Sequence, residues 1–270
     1  MSALPQAAFF LLLEAAAGGV ITLFWVHLRG EVTRGFTLFT GVCLLLCAAL
    51  AIWLRSSFPP DTATAAANLW FSVERVTTVA FVLLLAGYLI ALRGERWSTV
   101  RKMVGLAVPI LALASLWSAS LVVTSPQLGG LGVPLAVLAG AVALGSAVTG
   151  LSLGHWYLVS PTLSVQPLVR VTFLCLAAIL VQAVLVPLLL WGPGADNQGV
   201  EQLLTNDVLF LGVRIVFGLA VPFAASVMTW RTARIRSLDS ATGLLYIVAA
   251  LILAGEIAAR TLFFMTGVAT

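Results

Sequence analysis

The sequence contains very few charged residues. Only 9% of its 270 residues are Asp, Glu, Lys or Arg, whereas 61% are hydrophobic and the mean hydropathy is +1.11. Soluble domains carry about 25% charged residues. So few charges cannot cover a water-facing surface, which excludes a soluble globular protein. We therefore expect the outer surface to face lipid.

Cysteine is also scarce, and basic residues do not cluster. Cys43 and Cys47 lie one helical turn apart in one apolar run, and Cys175 lies in another. This spacing fits neither a disulfide framework nor a metal centre, so we predict no metal site. The sequence pI is about 9.4, but the basic residues occur in short loops between apolar runs. Such loops set membrane topology, and we expect no nucleic-acid partner.

The apolar residues fall into eight runs, each close to the roughly 20 residues that a helix needs to cross a bilayer. The runs lack the alternation of barrel strands, which favours α-helices. The predicted fold is all-α: a polytopic integral membrane protein with one transmembrane domain over residues 1–270, for which two four-helix bundles are one arrangement. The predicted spans are 7–28, 35–54, 69–92, 103–124, 131–155, 167–191, 208–230 and 241–267.

The basic residues are distributed unevenly between the two sides of these spans. Ten lie at the loops that follow spans 1, 3, 5 and 7, whereas Arg55 stands alone on the opposite side. Because Lys and Arg accumulate in cytoplasmic loops, both termini are predicted to lie outside. The outer loop 192–207 carries Asp196, Glu201 and Asp207 but no basic residue. We expect a multi-pass protein of the bacterial inner (plasma) membrane.

Several ionisable residues lie inside the predicted spans. A rise of about 1.5 Å per residue places five of them in the outer half of the membrane and Glu256 near the midplane. Intramembrane charges usually face the bundle interior and mark a substrate, ion or proton path. A structural ion-pair cluster and a polar pocket for a quinone and its protons both fit the pattern, and we favour the pocket. The predicted site residues are Glu14, Glu74, Arg75, Arg214, Glu256 and Arg260.

The two histidines offer a separate hypothesis. His27 and His155 lie at the ends of spans 1 and 5, near the predicted inner face. Two histidines on different helices could ligate one b-type haem. However, His155 adjoins Trp156 and Tyr157, which is typical of the membrane interface. We favour interfacial roles and do not expect haem b.

The first and last spans carry a family resemblance. Residues 10–20 read Phe-Leu-Leu-Leu-Glu-Ala-Ala-Ala-Gly-Gly-Val, and residues 253–264 read Leu-Ala-Gly-Glu-Ile-Ala-Ala-Arg-Thr-Leu-Phe-Phe. The latter contains Gly-Glu-x-x-x-Arg-x-x-Phe-Phe. Both segments resemble the membrane anchor subunits of dimethyl sulfoxide reductase, polysulfide reductase and nitrite reductase. The eight spans, the chain length and Arg214-Ile215-Val216 in span 7 resemble that family as well.

The resemblance implies a quinone-interacting anchor that binds menaquinone or ubiquinone. Such an anchor exchanges electrons with an iron–sulfur subunit, which serves a molybdenum-containing catalytic subunit. It is either a non-catalytic or a quinol-oxidising subunit, it usually holds no haem, and its quinol site uses an acid early in helix 3, where Glu74 stands here. Family members often have a histidine between helices 2 and 3. Residues 53–61 lack one, so either Asp61 or Glu74 would have to accept the quinol proton, or the quinone site is altered or lost.

Three alternatives remain open at this stage. The chain could be a proton or ion transporter whose charged cluster binds the ion, a haem b subunit that uses His27 and His155, or a purely structural subunit of a membrane complex. Broken helices at mid-membrane would favour the transporter. A visible absorption spectrum would identify a haem protein, and quinol turnover would separate an active anchor from a structural one.

Overall fold

The computed structural model describes residues 3–60, 62, 64–94, 98–123, 125–160 and 162–270, without the side chains of 98–103. Within this part of the chain the secondary structure is helical and contains no strand. Eight helices are long and apolar enough to cross a membrane. The predicted all-α, eight-span fold is therefore confirmed, and the chain is a multi-pass membrane protein.

Each predicted span corresponds to one long helical segment. A 3-10 turn at Gln127–Gly130 follows the first four spans. The seventh span is a continuous run of α-helix, π-helix and α-helix over residues 208–234. The elements are α1 Ala3–His27, α2 Arg34–Ser57, α3 Ala65–Ala91, α4 Ser98–Val122, α5 Gly132–Val159, α6 Gln166–Trp191, α7 Asn197–Thr205, α8 Val208–Gly212, the π-helix Val213–Ala220, α9 Val221–Arg234 and α10 Leu238–Thr266.

Polar caps fix where several of these helices begin. Thr33 and Thr64 accept backbone N–H bonds at the starts of α2 and α3, over 3.3 and 3.1 Å. Asp196 accepts the N–H of Gln198 over 3.2 Å and begins α7, a short helix within the loop 192–207 that was not among the predicted elements. Such caps satisfy N–H groups that have no partner within the helix.

The helices form two groups of four. In the first group, α1 to α4, each helix packs on two others of the group, and the same holds in the second group, which consists of α5, α6, the seventh span and α10. Helix α1 joins the groups, because it also packs on α5 and α10. A Cβ at Gly18 would lie 1.8 Å from the carbonyl oxygen of Ala141, and one at Gly145 would lie 2.0 Å from the carbonyl carbon of Gly18. Only glycine allows helices to pack this closely.

Helix α3 shows how the fold separates lipid from interior. Leu69, Val76, Leu83 and Ile90 recur every seven residues and are between 62% and 70% exposed. The opposite face buries polar Glu74 and Thr78 together with aromatic and aliphatic side chains. A seven-residue spacing is close to two turns of helix, so one stripe faces the bilayer.

Candidate functional site

The structure divides the predicted charged residues into two groups. Glu14, Arg214, Glu256 and Arg260 form one cluster, which we call the four-charge network. Glu74 instead pairs with Arg55, a residue outside the predicted set. Within the described residues no hydrogen bond or ion pair joins the two groups. The structure therefore does not bring Glu74 together with Arg214, Glu256 and Arg260, as the prediction of one shared pocket had placed them.

The four-charge network is a chain of alternating charges across three spans. Arg260 Nε lies 2.8 Å from Glu14 Oε1, and Arg260 Nη2 lies 3.2 Å from Glu256 Oε2. Arg214 Nη1 donates to Glu256 Oε1 over 3.1 Å. All four residues are at most 1% exposed. Two acids and two bases sum to zero charge, which is how buried ions are normally tolerated.

Neutral groups extend the network by further hydrogen bonds. Arg214 Nη2 donates to Gln182 Oε1 over 2.6 Å and to the carbonyl oxygen of Thr270 over 3.3 Å. Arg260 Nη2 donates to the carbonyl oxygen of Ala136 over 3.0 Å. The network therefore ties α1, α5, α6, the π-helix and α10 together, as well as the segment that follows α10.

Two glycines make room for this arrangement. A Cβ at Gly140 would lie 2.6 Å from Glu256 Oε2 and 2.8 Å from Arg260 Nη2. A Cβ at Gly255 would lie 2.2 Å from the Cα of Gly218. The second contact brings α10 against the π-helix that carries Arg214. A π-helical turn widens the helix locally and is often found at functional sites.

Glu14 is the least satisfied member of the network. Its two carboxylate oxygens make no aligned hydrogen bond within the described residues, although Arg260 Nε is within ion-pair distance. The side chain is fully buried. A carboxylate in this position neutralises Arg260 by charge more than by hydrogen-bond geometry.

The second group is a bidentate ion pair between α2 and α3. Arg55 Nε donates to Glu74 Oε1 over 2.8 Å, and Arg55 Nη2 binds the other carboxylate oxygen. Arg55 Nη1 donates to Gln6 Oε1 over 2.5 Å, and Gln6 Nε2 in turn donates to the carbonyl oxygen of Phe58 over 3.0 Å. Arg55 is 4% exposed and Glu74 1%. A bidentate pair of this kind fixes the orientation of both side chains.

A cavity of about 250 Å³ lies beside this pair. The guanidinium carbon of Arg55 is 4.2 Å from the ring centroid of Phe9 and 5.5 Å from that of Phe71. The wall thus combines aromatic rings, a cation and a carboxylate, and small-molecule sites commonly have this mixture. The lining residues are Phe9, Ile52, Arg55, Ser56, Pro59, Phe71, Glu74, Arg75, Thr78 and Val79.

Arg75 also lines the cavity but is exposed, and its guanidinium carbon lies 5.9 Å from the Phe71 ring centroid. It belongs to the rim of the cavity and not to the four-charge network. Asp61, the other predicted proton acceptor, lies outside the described residues. Its proposed role therefore stays a prediction.

A second cavity, of about 410 Å³, is an apolar groove between α6 and the seventh span. Pro187, Trp191 and Phe223 are among the residues that line it, and none of its lining residues is charged. Its chemistry suits hydrocarbon and offers no group that could transfer a proton.

The two histidines contact different elements. His27 Nδ1 lies 2.9 Å from Thr37 Oγ1, and its ring centroid is 6.1 Å from that of Tyr88. His155 is exposed, and its Nδ1 lies 3.5 Å from the hydroxyl oxygen of Tyr246. In the described part of the chain, no three His, Cys, Asp or Glu residues come close enough to hold a metal ion.

Sequence reasoning missed Arg55, Gln6, Gln182 and Thr78. Arg55 was assigned to the outer loop because it ends an apolar run, yet α2 continues to Ser57 and buries it. The order of the spans could have predicted this pair, because consecutive antiparallel spans place the end of α2, with Arg55, beside the beginning of α3, where Glu74 lies. The two glutamines were not predicted, because they are uncharged and only ionisable residues were taken as markers of a site within the apolar spans.

A comparison with models of known protein families and with curated proteins finds no match for this chain. The resemblance of the end spans to reductase anchors therefore rests on the residues quoted above. What the protein does must be inferred from the chemistry of its own site.

Proposed function

We propose that this chain is a quinone-interacting membrane anchor subunit of a multi-subunit respiratory oxidoreductase in the bacterial inner membrane. Its task is to exchange electrons between the quinone pool and a partner iron–sulfur subunit. The observation that carries the proposal is the cavity in which a buried Arg–carboxylate pair lies beside two phenylalanine rings.

The lining chemistry suits a quinone headgroup, which is a flat apolar ring with carbonyl oxygens that accept hydrogen bonds. Phe9 and Phe71 provide apolar ring surface close to Arg55. Arginine has five N–H donors, and three hydrogen bonds to Glu74 and Gln6 leave two for a ligand oxygen. Arg55 can therefore donate to a quinone carbonyl without releasing Glu74.

Glu74 is the proton acceptor in this proposal. Oxidation of a hydroquinone releases two electrons and two protons. The carboxylate of Glu74 takes one proton from a hydroxyl group of the ring, the second proton leaves to water on the outer side, and both electrons pass to the iron–sulfur subunit. The reverse sequence reduces a quinone. The resemblance to the reductase anchors supports this assignment, because the quinol site of those anchors uses an acid early in helix 3, where Glu74 lies.

The predicted topology orients the complex. With both termini outside, the Arg55–Glu74 pair lies in the outer half of the membrane. The iron–sulfur subunit would then dock on the outer face, near residues 55–68 and 192–207, and connect the anchor to a molybdenum-type catalytic subunit. Outer loops this short leave the soluble redox centres to partner chains.

The four-charge network has a different role in this account. Its members neutralise one another, are almost completely buried and link the second helix group to α1. Its function is to hold these spans in register. Quinone binding is assigned to the Arg55–Glu74 cavity alone.

Binding of a water-soluble quinone to the purified chain in lipid nanodiscs tests the proposal. We expect menadione to bind, and Glu74→Gln to weaken its binding by about tenfold or more. The carboxylate orients Arg55, and a hydrogen bond from a charged donor such as Arg55 to a quinone carbonyl contributes about 1.5–3 kcal/mol. Glu14→Gln is the matched control, since it neutralises a glutamate of the network and should leave affinity within about threefold, a change of under 1 kcal/mol. Absence of menadione binding, or a larger loss in Glu14→Gln than in Glu74→Gln, would contradict the proposal.

A further inference from the structure

Thr78 has an unsatisfied hydroxyl group in the wall of the Arg55–Glu74 cavity. It lies one helical turn beyond Glu74 on α3, is 3% exposed and lines the cavity. Its Oγ1 is buried and makes no hydrogen bond within the described residues. A buried hydroxyl without a partner is costly, so it points to a group that the protein alone does not supply.

Most intramembrane hydroxyl groups of this chain avoid that cost locally. They donate to the carbonyl oxygen one turn back along the same helix, as Ser and Thr commonly do. The neighbouring Thr77 donates to the carbonyl oxygen of Val73 over 2.8 Å. The same bond is made by Thr22, Thr172, Thr229, Thr242 and Thr266. Thr40 and Thr78 depart from this pattern, and of these two only Thr78 lines the cavity.

The position of Thr78 relative to Glu74 defines two levels of hydrogen bonding. Four residues of helix correspond to a rise of about 6 Å. Arg55 and Glu74 lie at one level of the cavity wall, and Thr78 lies one helical turn further along α3. A ring with one oxygen at each end would engage both levels at once, whereas a ring with one oxygen would engage only one.

We propose that Thr78 binds the second oxygen of a para-quinone, and that the cavity thereby selects rings with two opposed oxygens over rings with one. This inference rests on the proposed quinone function and adds a specificity-determining residue to it. The hydroxyl donates to a quinone carbonyl, and it can accept from the hydroxyl of a hydroquinone. Thr78 therefore serves both redox forms of the ring.

Two ligands that share a fused two-ring skeleton test the proposal in nanodiscs. Menadione has two opposed carbonyl groups, and 1-tetralone has one. We expect Thr78→Val, which removes the hydroxyl and keeps the shape, to weaken menadione binding about fivefold, the size of one neutral hydrogen bond. Binding of 1-tetralone should change less than twofold, because Arg55 holds its single oxygen.

Two further variants control for packing. Thr78→Ser keeps the hydroxyl and should bind menadione within about twofold of the original chain, which is within the variation of one weak contact. Thr77→Val removes the adjacent hydroxyl, which faces Ser118 at 3.1 Å and does not line the cavity, and it should leave both ligands unaffected.

The outcomes separate this inference from the function on which it rests. Unchanged menadione binding in Thr78→Val, while Glu74→Gln still weakens it, overturns the role of Thr78 and leaves the quinone site intact. An equal loss for menadione and 1-tetralone also overturns it, because the effect would then be one of packing. If the original chain binds no menadione, the quinone function and the role of Thr78 fail together.

Discussion

The four-charge network and the Arg55–Glu74 pair are built from the same residue types, yet their surroundings differ. The network is enclosed by α1, α5, α6, the π-helix and α10, and Gly140 leaves no free space beside it. The Arg55–Glu74 pair borders a cavity of about 250 Å³ with aromatic walls. We therefore infer that charged residues within a membrane span either hold helices together or belong to a binding site, and that the second role requires a cavity beside them.

The two regions also differ in how their hydrogen bonds are completed. Arg55 and Glu74 bind each other, and the group without a hydrogen bond is the hydroxyl of the adjacent Thr78. In the network, buried atoms of the charged residues themselves, Glu14, Arg214 and Arg260, lack an aligned hydrogen bond, although each residue has an ion-pair partner. We therefore expect changes in the network to alter stability and changes at the cavity to alter binding.

The largest effect is expected for Arg260→Met. The substitution leaves Glu14 without its cation and removes one of the two partners of Glu256. Breaking a buried ion pair on one side costs about 3–5 kcal/mol. Reversible unfolding in mixed micelles measures the free energy. The double variant Glu14→Leu/Arg260→Met restores neutrality and should recover part of the loss. Equal instability of the single and double variants would show that the charge pairing is unimportant.

A smaller loss of stability is expected for Gly140→Ala. The new Cβ would lie 2.6 Å from Glu256 Oε2, so the carboxylate must shift. Overpacking in a well-packed core costs about 1–3 kcal/mol. Gly87→Ala is the matched control: it is also a glycine within a span, but its Cβ would meet no atom within 4 Å. Similar unfolding free energies for the two variants would mean that the network does not depend on close packing at Gly140.

The smallest effect is expected for Arg75→Gln. This arginine is exposed at the rim of the cavity and lies 5.9 Å from the Phe71 ring centroid. Exposed charges contribute about 0–1 kcal/mol, so both unfolding and menadione affinity should change little. A loss as large as that of Glu74→Gln would place Arg75 in the binding site and move the boundary of the cavity outward.

Much of the fold could be predicted from the sequence. Long apolar runs leave the backbone few alternatives to helices in lipid, so the eight spans followed directly. The short helix α7 was missed because it depends on one capping residue, Asp196, in a polar loop. Likewise, the two four-helix groups could be offered only as one arrangement. Helix contacts depend on close approaches such as Gly18 to Ala141, which span distant parts of the chain.

The site could be predicted only in part. Depth along a helix identified Glu14, Arg214, Glu256 and Arg260 as neighbours, and the structure brings them together. Depth does not determine which side of a bundle a residue faces, and it therefore could not show that Glu74 pairs with Arg55. Phe9 and Glu14 illustrate this: five residues of one helix separate them by about 7.5 Å and about 140° of rotation. Phe9 lines the cavity, whereas Glu14 enters the network.

Photolabelling with an azido-quinone tests the central claim most directly. The purified chain in nanodiscs would be illuminated with the probe, digested and mapped by mass spectrometry, with excess menadione as competitor. We expect competed labels on the segments of α1, α2 and α3 that carry Phe9, Ile52 and Phe71. Competed labels on α10 or the π-helix, with none on α1 to α3, would contradict the assignment of the quinone to the Arg55–Glu74 cavity.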